Sequence, residues 1–438
     1  MPRSSKRPPI GAVRARCVAM PTRVVATLIW AAALAVTPGR AQAQTLALDQ
    51  AVAQAQTVNP QIRATRSRWE AARHQIIQNY TPTDPQFSFT NSDSWRGFLK
   101  GSGEHNITFT QPLQFPGKGL LQGREAQRTA EIAHLAYLAT VRDITAQVKT
   151  AYYEIQLDLA LNDLIREDVA NLERVLQVAQ IAYTASLTTQ GDLINSKFAL
   201  EADRERQRQQ SVTIANDKTA LNILLDRRPD EPLQVDLRFD LSGFDASLDH
   251  VVERAVGNRQ EILQAALAEK NQDTAVTLAQ LEYAPDYSLA FGFDHWLIAS
   301  FAPAPNHTED WNFAIGFNLP IFFWAKNEDI ARARQDLDAA REDLEAVRIQ
   351  TAGQVTTFYR QILRSRETAL LYRDSLIPLA HQAFEVILIA YSGGKTDFGT
   401  LITTFRQQSD ARSAYLQAVN ELLAQKVALE AAAGGSLQ

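Results

Sequence analysis

Two hydrophobic periods alternate along the chain. From Arg124 to Gln190 there is neither glycine nor proline. As one helix that stretch would extend about 100 Å at 1.5 Å per residue. Globular helices run about 8–20 residues, so the pattern predicts a coiled-coil or bundle strut. Helices predicted at 46–80 and 192–226 are each near half that length and could lie end to end beside it. Further on, Ile330, Leu337, Leu344, Thr351 and Phe358 fall every seven residues, with Ala333, Ala340 and Val347 three later. That is a heptad seam, and its alanines allow close helix approach.

The other period is two. Tyr287, Leu289, Phe291 and Phe293 alternate with Ser288, Ala290, Gly292 and Asp294, and Trp311, Phe313, Ile315, Phe317 and Leu319 with Asn312, Ala314, Gly316 and Asn318. A weaker pair contains Phe87 and Phe89, then Ile107 and Phe109. Strands are predicted at about 85–95, 105–115, 286–296 and 310–322. Aromatic residues on one face with small or polar residues on the other mark a transmembrane β-strand. A half-buried strand of a soluble sheet also alternates. The aromatic-rich face favours the membrane, as do Tyr287, Trp296, Trp311 and Trp324 near strand ends. Four strands cannot close a barrel, and open edges do not persist in lipid, so the pattern requires an oligomer that shares one barrel. Prolines 82, 85 and 285 precede strands and prolines 112, 116 and 320 follow them, as expected where neither helix nor ladder continues.

The chain repeats itself. Pro85-Gln86-Phe87-Ser88 recurs as Pro285-Asp286-Tyr287-Ser288, and Pro112-Leu113-Gln114-Phe115 as Pro320-Ile321-Phe322-Phe323. Val148 to Tyr152 recurs as Val355 to Tyr359, and Ile181-Ala182-Tyr183 as Ile389-Ala390-Tyr391. Lys118 matches Lys326. A shared order with a slowly drifting spacing predicts a duplicated helix–strand–strand–helix–helix unit. The first repeat spans 44–236 and the second 237–438, with a Pro- and Asp-rich joint from Arg227 to Asp245.

Residues 1–43 hold seven basic residues and no acidic one, an apolar run from Val24 to Val36, and Ala41-Gln42-Ala43. That is the pattern of a cleaved secretory signal peptide; an uncleaved anchor is the rival reading. Cys17, the only cysteine, precedes the apolar run, so no lipid-bearing cysteine is expected after cleavage. The chain has 44 basic and 49 acidic residues; losing the leader's seven leaves 37 against 49, a net charge near −12. Nucleic acid needs a basic footprint and is excluded as a partner. Past the leader no stretch approaches 18 uninterrupted apolar residues, so no membrane-spanning helix is expected.

These features resemble the outer-membrane efflux protein family, the TolC-like outer membrane factors, over nearly the whole mature chain. Gln111 to Lys118, with Pro112, Pro116 and Gly117, resembles the strand-to-helix turn of the CzcC- and CusC-like heavy-metal branch, as does Asn59-Pro60-Gln61-Ile62. The resemblance implies a mainly α protein with membrane β. Its homotrimer would form a twelve-stranded barrel in outer-membrane lipid on a twelve-helix periplasmic α-barrel. It implies a passive duct served by a periplasmic adaptor and an inner-membrane pump of the RND type. It places adaptor contacts at Ala185, Ser186 and Leu187 and at Gly393, Gly394 and Lys395. A gate is implied around Tyr183, Asp192, Asn195, Tyr391, Lys395, Asp397 and Thr403. Ser186 stands where the family has a tip glycine, and Thr403 where it has a second gate carboxylate. Asp192, after Gly191, reads equally as a helix N-cap.

No catalytic chemistry is indicated. The histidines (74, 105, 134, 250, 295, 307 and 381) form no i, i+4 pair and no H-E-x-x-H. Without Cys17 and the two methionines, Met1 and Met20, the mature chain has no soft-metal ligand. No metal site, cofactor or enzymatic role is expected. Gly117-Lys118 lacks the rest of a phosphate loop, and no serine lies in G-x-S-x-G. Asn306-His307-Thr308 matches a short, common sequon. The expected cargo is metal cations. Organic compounds or drugs, or a protein secreted by a one-step exporter, are alternatives, and a structural periplasmic coiled-coil protein is the rival without a channel.

Overall fold

The structure, a computed structural model, describes residues 45–91, 103–237, 239, 246–297 and 307–436. The leader 1–43, Asn306 and most of the loops Arg96–Glu104 and Leu297–Asp310 lie outside these residues.

The first half contains β1 (Thr45–Leu46), α1 (Leu48–Val58), α2 (Pro60–Tyr80), β2 (Gln86–Asn91), β3 (Gly103–Leu113), α3 (Lys118–Thr184), α4 (Gln190–Leu224) and β4 (Gln234–Val235). The second contains α5 (Leu248–Asn258), α6 (Gln260–Leu281), β5 (Tyr287–Leu297), β6 (His307–Phe317), α7 (Phe323–Leu371), a π turn (Tyr372–Leu376), α8 (Ile377–Ser392) and α9 (Phe398–Ala432). The single helix expected at 46–80 is broken at Asn59. Its side chain accepts the Gln61 N–H at 2.9 Å, and Pro60 has no N–H to continue the ladder. The long strut begins at Lys118 and stops at Thr184, not at Gln190, because the chain turns left-handed at Ser186 (φ 59°). At 67 residues it is about 100 Å long. Along it, α2 packs beside the first part and α4 beside the second; α6 and α9 do the same along α7 and α8. On α7 the heptad positions Ala333, Leu337, Leu344 and Thr351 are buried, and Ile330, Ala340, Val347 and Phe358 are half-buried.

The π turn reconciles two spacings. Val148 and Val355 are 207 apart, whereas Ile181 and Ile389 are 208 apart. The Ile377 N–H reaches the Tyr372 carbonyl, five residues back, and Pro378 follows. One extra residue is thereby absorbed without changing which face looks inward. A core of Ala51, Ile144, Val148, Tyr152, Ile155 and Leu221 anchors the middle of the first half. The Tyr152 hydroxyl donates to the Leu46 carbonyl at 2.9 Å and accepts the Asp236 N–H at 3.0 Å. This ties down β1 and β4, a short parallel pair that the sequence pattern did not predict.

The long strands form one antiparallel sheet in the order β2-β3-β5-β6. Phe87, Phe109, Phe291 and Phe313 stand in register across all four strands, and Phe89, Ile107, Phe293 and Trp311 form the next row. The opposite face has Thr90, Asn106, Asp294 and Asp310 in one row. Large apolar side chains such as Phe87 and Trp311 are therefore exposed on one face. Pro112 lies inside β3, opposite Ser288, not after the strand. β2 ends at Gln86, opposite Thr110, so β3 has one neighbour there and tolerates a residue without N–H. The last strand was expected over 310–322 but spans His307–Phe317. Its partner β5 begins at Tyr287, opposite Phe317, so residues 318–322 have no strand to pair with in a single chain. One described helical stretch, Phe323–Ser392, contains an 18-residue window of mean hydropathy 1.3, long and apolar enough to cross a membrane by length and composition alone. Phe384 and Tyr391 at its end pack into the core of the hairpins.

Lys118 fastens strand to helix. Its buried ammonium lies 3.0 Å from Asp286 and 3.1 Å from Glu282. Asp286 also accepts the Phe115 N–H at 2.7 Å, and Lys326 reaches Glu282 at 3.2 Å. Lys118→Ala leaves Asp286 without its nearest cation. We expect a loss of roughly 2–3 kcal/mol, read as a lower unfolding temperature of the detergent-extracted protein.

Candidate functional site

The two helical hairpins end in matching turns. In the first, the Leu187 N–H bonds the Ala182 carbonyl at 2.8 Å and the Ser186 N–H bonds Tyr183 at 3.0 Å. In the second, Lys395 bonds Ala390 at 2.9 Å and Gly394 bonds Tyr391 at 3.0 Å. Both are Schellman closures, which need a left-handed residue. Gly394 (φ 68°) meets that need without strain, but Ser186 (φ 59°) has a Cβ that disfavours it. The tips touch: a Cβ on Gly394 would lie 3.6 Å from the Leu187 side chain.

The next helices are capped by different devices. Thr189, not Asp192, is the N-cap of α4. Its hydroxyl accepts the Asp192 N–H at 3.2 Å, and the Asp192 carboxylate accepts the Thr189 N–H at 3.2 Å. This is a capping box, so the reading of Asp192 as the cap itself is corrected to its third helical position. The pattern Thr189-x-x-Asp192 was visible in the sequence and could have shown this. In the second hairpin Asp397 caps α9, accepting the Thr400 N–H at 2.9 Å and its hydroxyl at 2.7 Å. Those bonds, the hydroxyl's first, hold the Asp397 carboxyl below its usual range.

One polar chain joins the hairpins. The Thr188 hydroxyl donates to the Asp192 carboxylate and lies 3.3 Å from the Tyr391 hydroxyl. Tyr391 is buried against Phe398, and burial pushes its phenol up. The structure thus brings Tyr391 and Asp192 together through Thr188, which the sequence reading had not singled out. Tyr183, Asn195, Lys395 and Thr403 are exposed and outside this chain of contacts. Ala185, Ser186, Leu187, Gly393 and Gly394 form the exposed ends.

Further along, Asp203 pairs with Arg406 at 2.7 Å, and Ser409 donates to buried Asp168 at 2.5 Å. On the sheet's polar face Asp294 accepts from Asn106 and, at 2.8 Å, from Asn312. Among the described residues no group of three His, Cys, Asp or Glu could hold a metal ion. His134 instead stacks on Trp69, and His381 bonds Gln408 at 3.0 Å.

Two segments, 41–225 and 251–435, match the model of the outer membrane efflux protein family. The chain belongs to the outer membrane efflux protein family. Solved structures share its fold. The outer-membrane channel OprN is 19% identical with TM-score 0.74, covering 89% of this chain and 90% of that one. VceC from Vibrio cholerae is 16% identical with TM-score 0.74, covering 89% and 97%. CusC is 16% identical with TM-score 0.70, covering 90% and 93%. No curated protein matches the chain. As an outer-membrane efflux channel it is a passive duct, not an enzyme.

Two predictions concern this helical region. Ser186→Gly removes the strained Cβ at the tip and should stabilise the hairpin by up to about 1 kcal/mol, read as slower amide exchange at residues 182–187. Asp217 on α4 faces Asp158 and Glu154 on α3. Burial first, then its hydrogen bond to Asp158 and repulsion from both, push its carboxyl up to about 7. The native state therefore keeps this proton to higher pH than the unfolded chain. Its contribution is most favourable at low pH and declines as pH rises from about 4 to about 7. Asp217→Asn should flatten that decline in thermal unfolding measured across the range.

Proposed function

We propose that three copies of this chain share one outer-membrane barrel of twelve strands above a periplasmic barrel of twelve helices. The duct carries metal cations handed on by a periplasmic adaptor and an inner-membrane pump of the RND type. The observation that carries this is the four-stranded sheet, with aromatic rows on one face, polar rows on the other, and β2 and β6 as open edges. An open edge in hydrocarbon leaves backbone N–H and C=O groups unpaired at several kcal/mol each. Closure with further copies removes that cost and turns the polar face inward, where Asp294 and Asp310 line the passage. The acidic mature chain and these carboxylates favour cationic cargo.

The exposed ends, Ala185-Ser186-Leu187 and Gly393-Gly394-Lys395, are the adaptor contacts. The Tyr391–Thr188–Asp192 chain holds the hairpins together in the closed form, with Asp397 fixing the second tip. Tyr183, Asn195, Lys395 and Thr403, exposed in one chain, face neighbouring hairpins around the ring. Export follows the signal peptide at 1–43, and the mature chain is not lipidated.

Two experiments test this reading. A deletion strain should become sensitive to metal salts and not to a drug panel, with the tagged protein in the outer-membrane fraction. Sensitivity to drugs alone would keep the channel and change its cargo, and a soluble periplasmic protein would overturn the channel. In planar bilayers, Asp192→Ala should raise the resting conductance several-fold over wild type; an unchanged value would leave Asp192 only its capping role.

A further inference from the structure

Beside the π turn, α3 of the first half and α8 and α9 of the second enclose a cavity of about 550 Å³. That lies within the range of small-molecule sites, about 300–1,000 Å³. Its apolar wall is Ile377, Pro378 and Phe384. Ile377 and Pro378 begin α8 directly after the π turn, and Pro378 brings no backbone N–H to the wall. Such π turns recur at functional sites. Phe384 is buried against Phe405, with ring centroids 5.6 Å apart, so the wall is anchored in the hairpin core.

Three polar groups at this cavity lack the partner their chemistry calls for. Gln408 is 8% exposed. Its amide nitrogen donates to His381 Nδ1 at 3.0 Å, which requires a neutral imidazole with its proton on Nε2. Its Oε1 is buried with no hydrogen-bond partner. A buried acceptor left unpaired is costly, so Oε1 calls for a donor. Glu167, on the same cavity, is neutralised by Arg412 at 2.6 Å. Glu385 and Arg174, by contrast, line the cavity without an ion pair among the described residues. The Arg174 guanidinium bonds the side-chain oxygen of Asn171, three residues back.

One anion, one cation and one orphaned acceptor around an apolar wall define a complementary ligand. An ammonium satisfies Glu385 and the Gln408 Oε1. A carboxylate satisfies Arg174, and an apolar side chain covers Ile377, Pro378 and Phe384. We infer that this cavity binds an apolar α-amino acid as its zwitterion, with Gln408 as the buried group that recognises the ammonium. A simple amine or a simple acid fits less well, because each leaves one charge of the cavity unmatched. The site needs neither the barrel nor the cargo, so it goes beyond the duct reading. Its occupant touches both halves of the chain and favours the observed spacing of α3, α8 and α9.

Calorimetric titration of the full, detergent-extracted protein tests this, with L-phenylalanine as the probe. Saturable binding is expected. 2-Phenylethylamine and 3-phenylpropionate each lack one of the two charges and should bind at least about tenfold more weakly. Gln408→Leu, Glu385→Gln and Arg174→Gln should each weaken L-phenylalanine by about tenfold. Ala170→Trp, at an exposed lining position, fills the cavity without altering a buried residue and should abolish binding. It keeps the test readable should Gln408→Leu fail to fold. No saturable binding of L-phenylalanine overturns the site, as does binding that survives Ala170→Trp. Equal binding of 2-phenylethylamine overturns the zwitterion assignment. Each result is independent of which cargo the duct carries.

Discussion

The backbone of a strand placed in hydrocarbon has no water to turn to, and most of this architecture follows from that. A four-stranded sheet has two edges whose N–H and C=O groups must be paired. The chain ends its second-half strand where its own partner ends, at Phe317 opposite Tyr287. The apolar rows, Phe87–Phe109–Phe291–Phe313 and the next, run across the whole width of the sheet and are not confined to one hairpin. The same constraint explains why Pro112 can occupy a strand interior, at a point where β3 has lost one neighbour.

The helices obey a different constraint, that of phase. A helix turns by about 100° per residue, so one residue too many would swing every later side chain away from its partners. The second-half strut has that extra residue, and the π turn at Tyr372–Leu376 absorbs it. Phe384 and Tyr391 consequently face the hairpin core, as they must for the Tyr391–Thr188–Asp192 contact to form.

Much of this was legible in the sequence because it depends on period and order. The heptad on α7, the aromatic alternation of β5 and β6 and the recurrence of Ile181-Ala182-Tyr183 are all local patterns, and local patterns survive translation into structure. Boundaries were less legible. The glycine- and proline-free run extends to Gln190, but the helix stops at Thr184, because Ser186 takes the left-handed turn without being glycine. Asp192, after Gly191, reads equally as a gate residue or a cap, whereas the cap itself is Thr189. The β1–β4 pair, two residues each and 189 positions apart, has no periodic signal at all. The contact of Tyr391 with Thr188 is likewise a tertiary result, fixed by how two hairpins lean together.

The 67-residue strut α3 has a mechanical meaning as well. It is a lever about 100 Å long with no joint along its length. Tilting it by about 5° at the strand end displaces the hairpin end by about 9 Å, several times the reach of a hydrogen bond. Motions at the tips therefore require no unwinding of the helix, only a small pivot at the joint where Lys118 is clasped by Asp286 and Glu282.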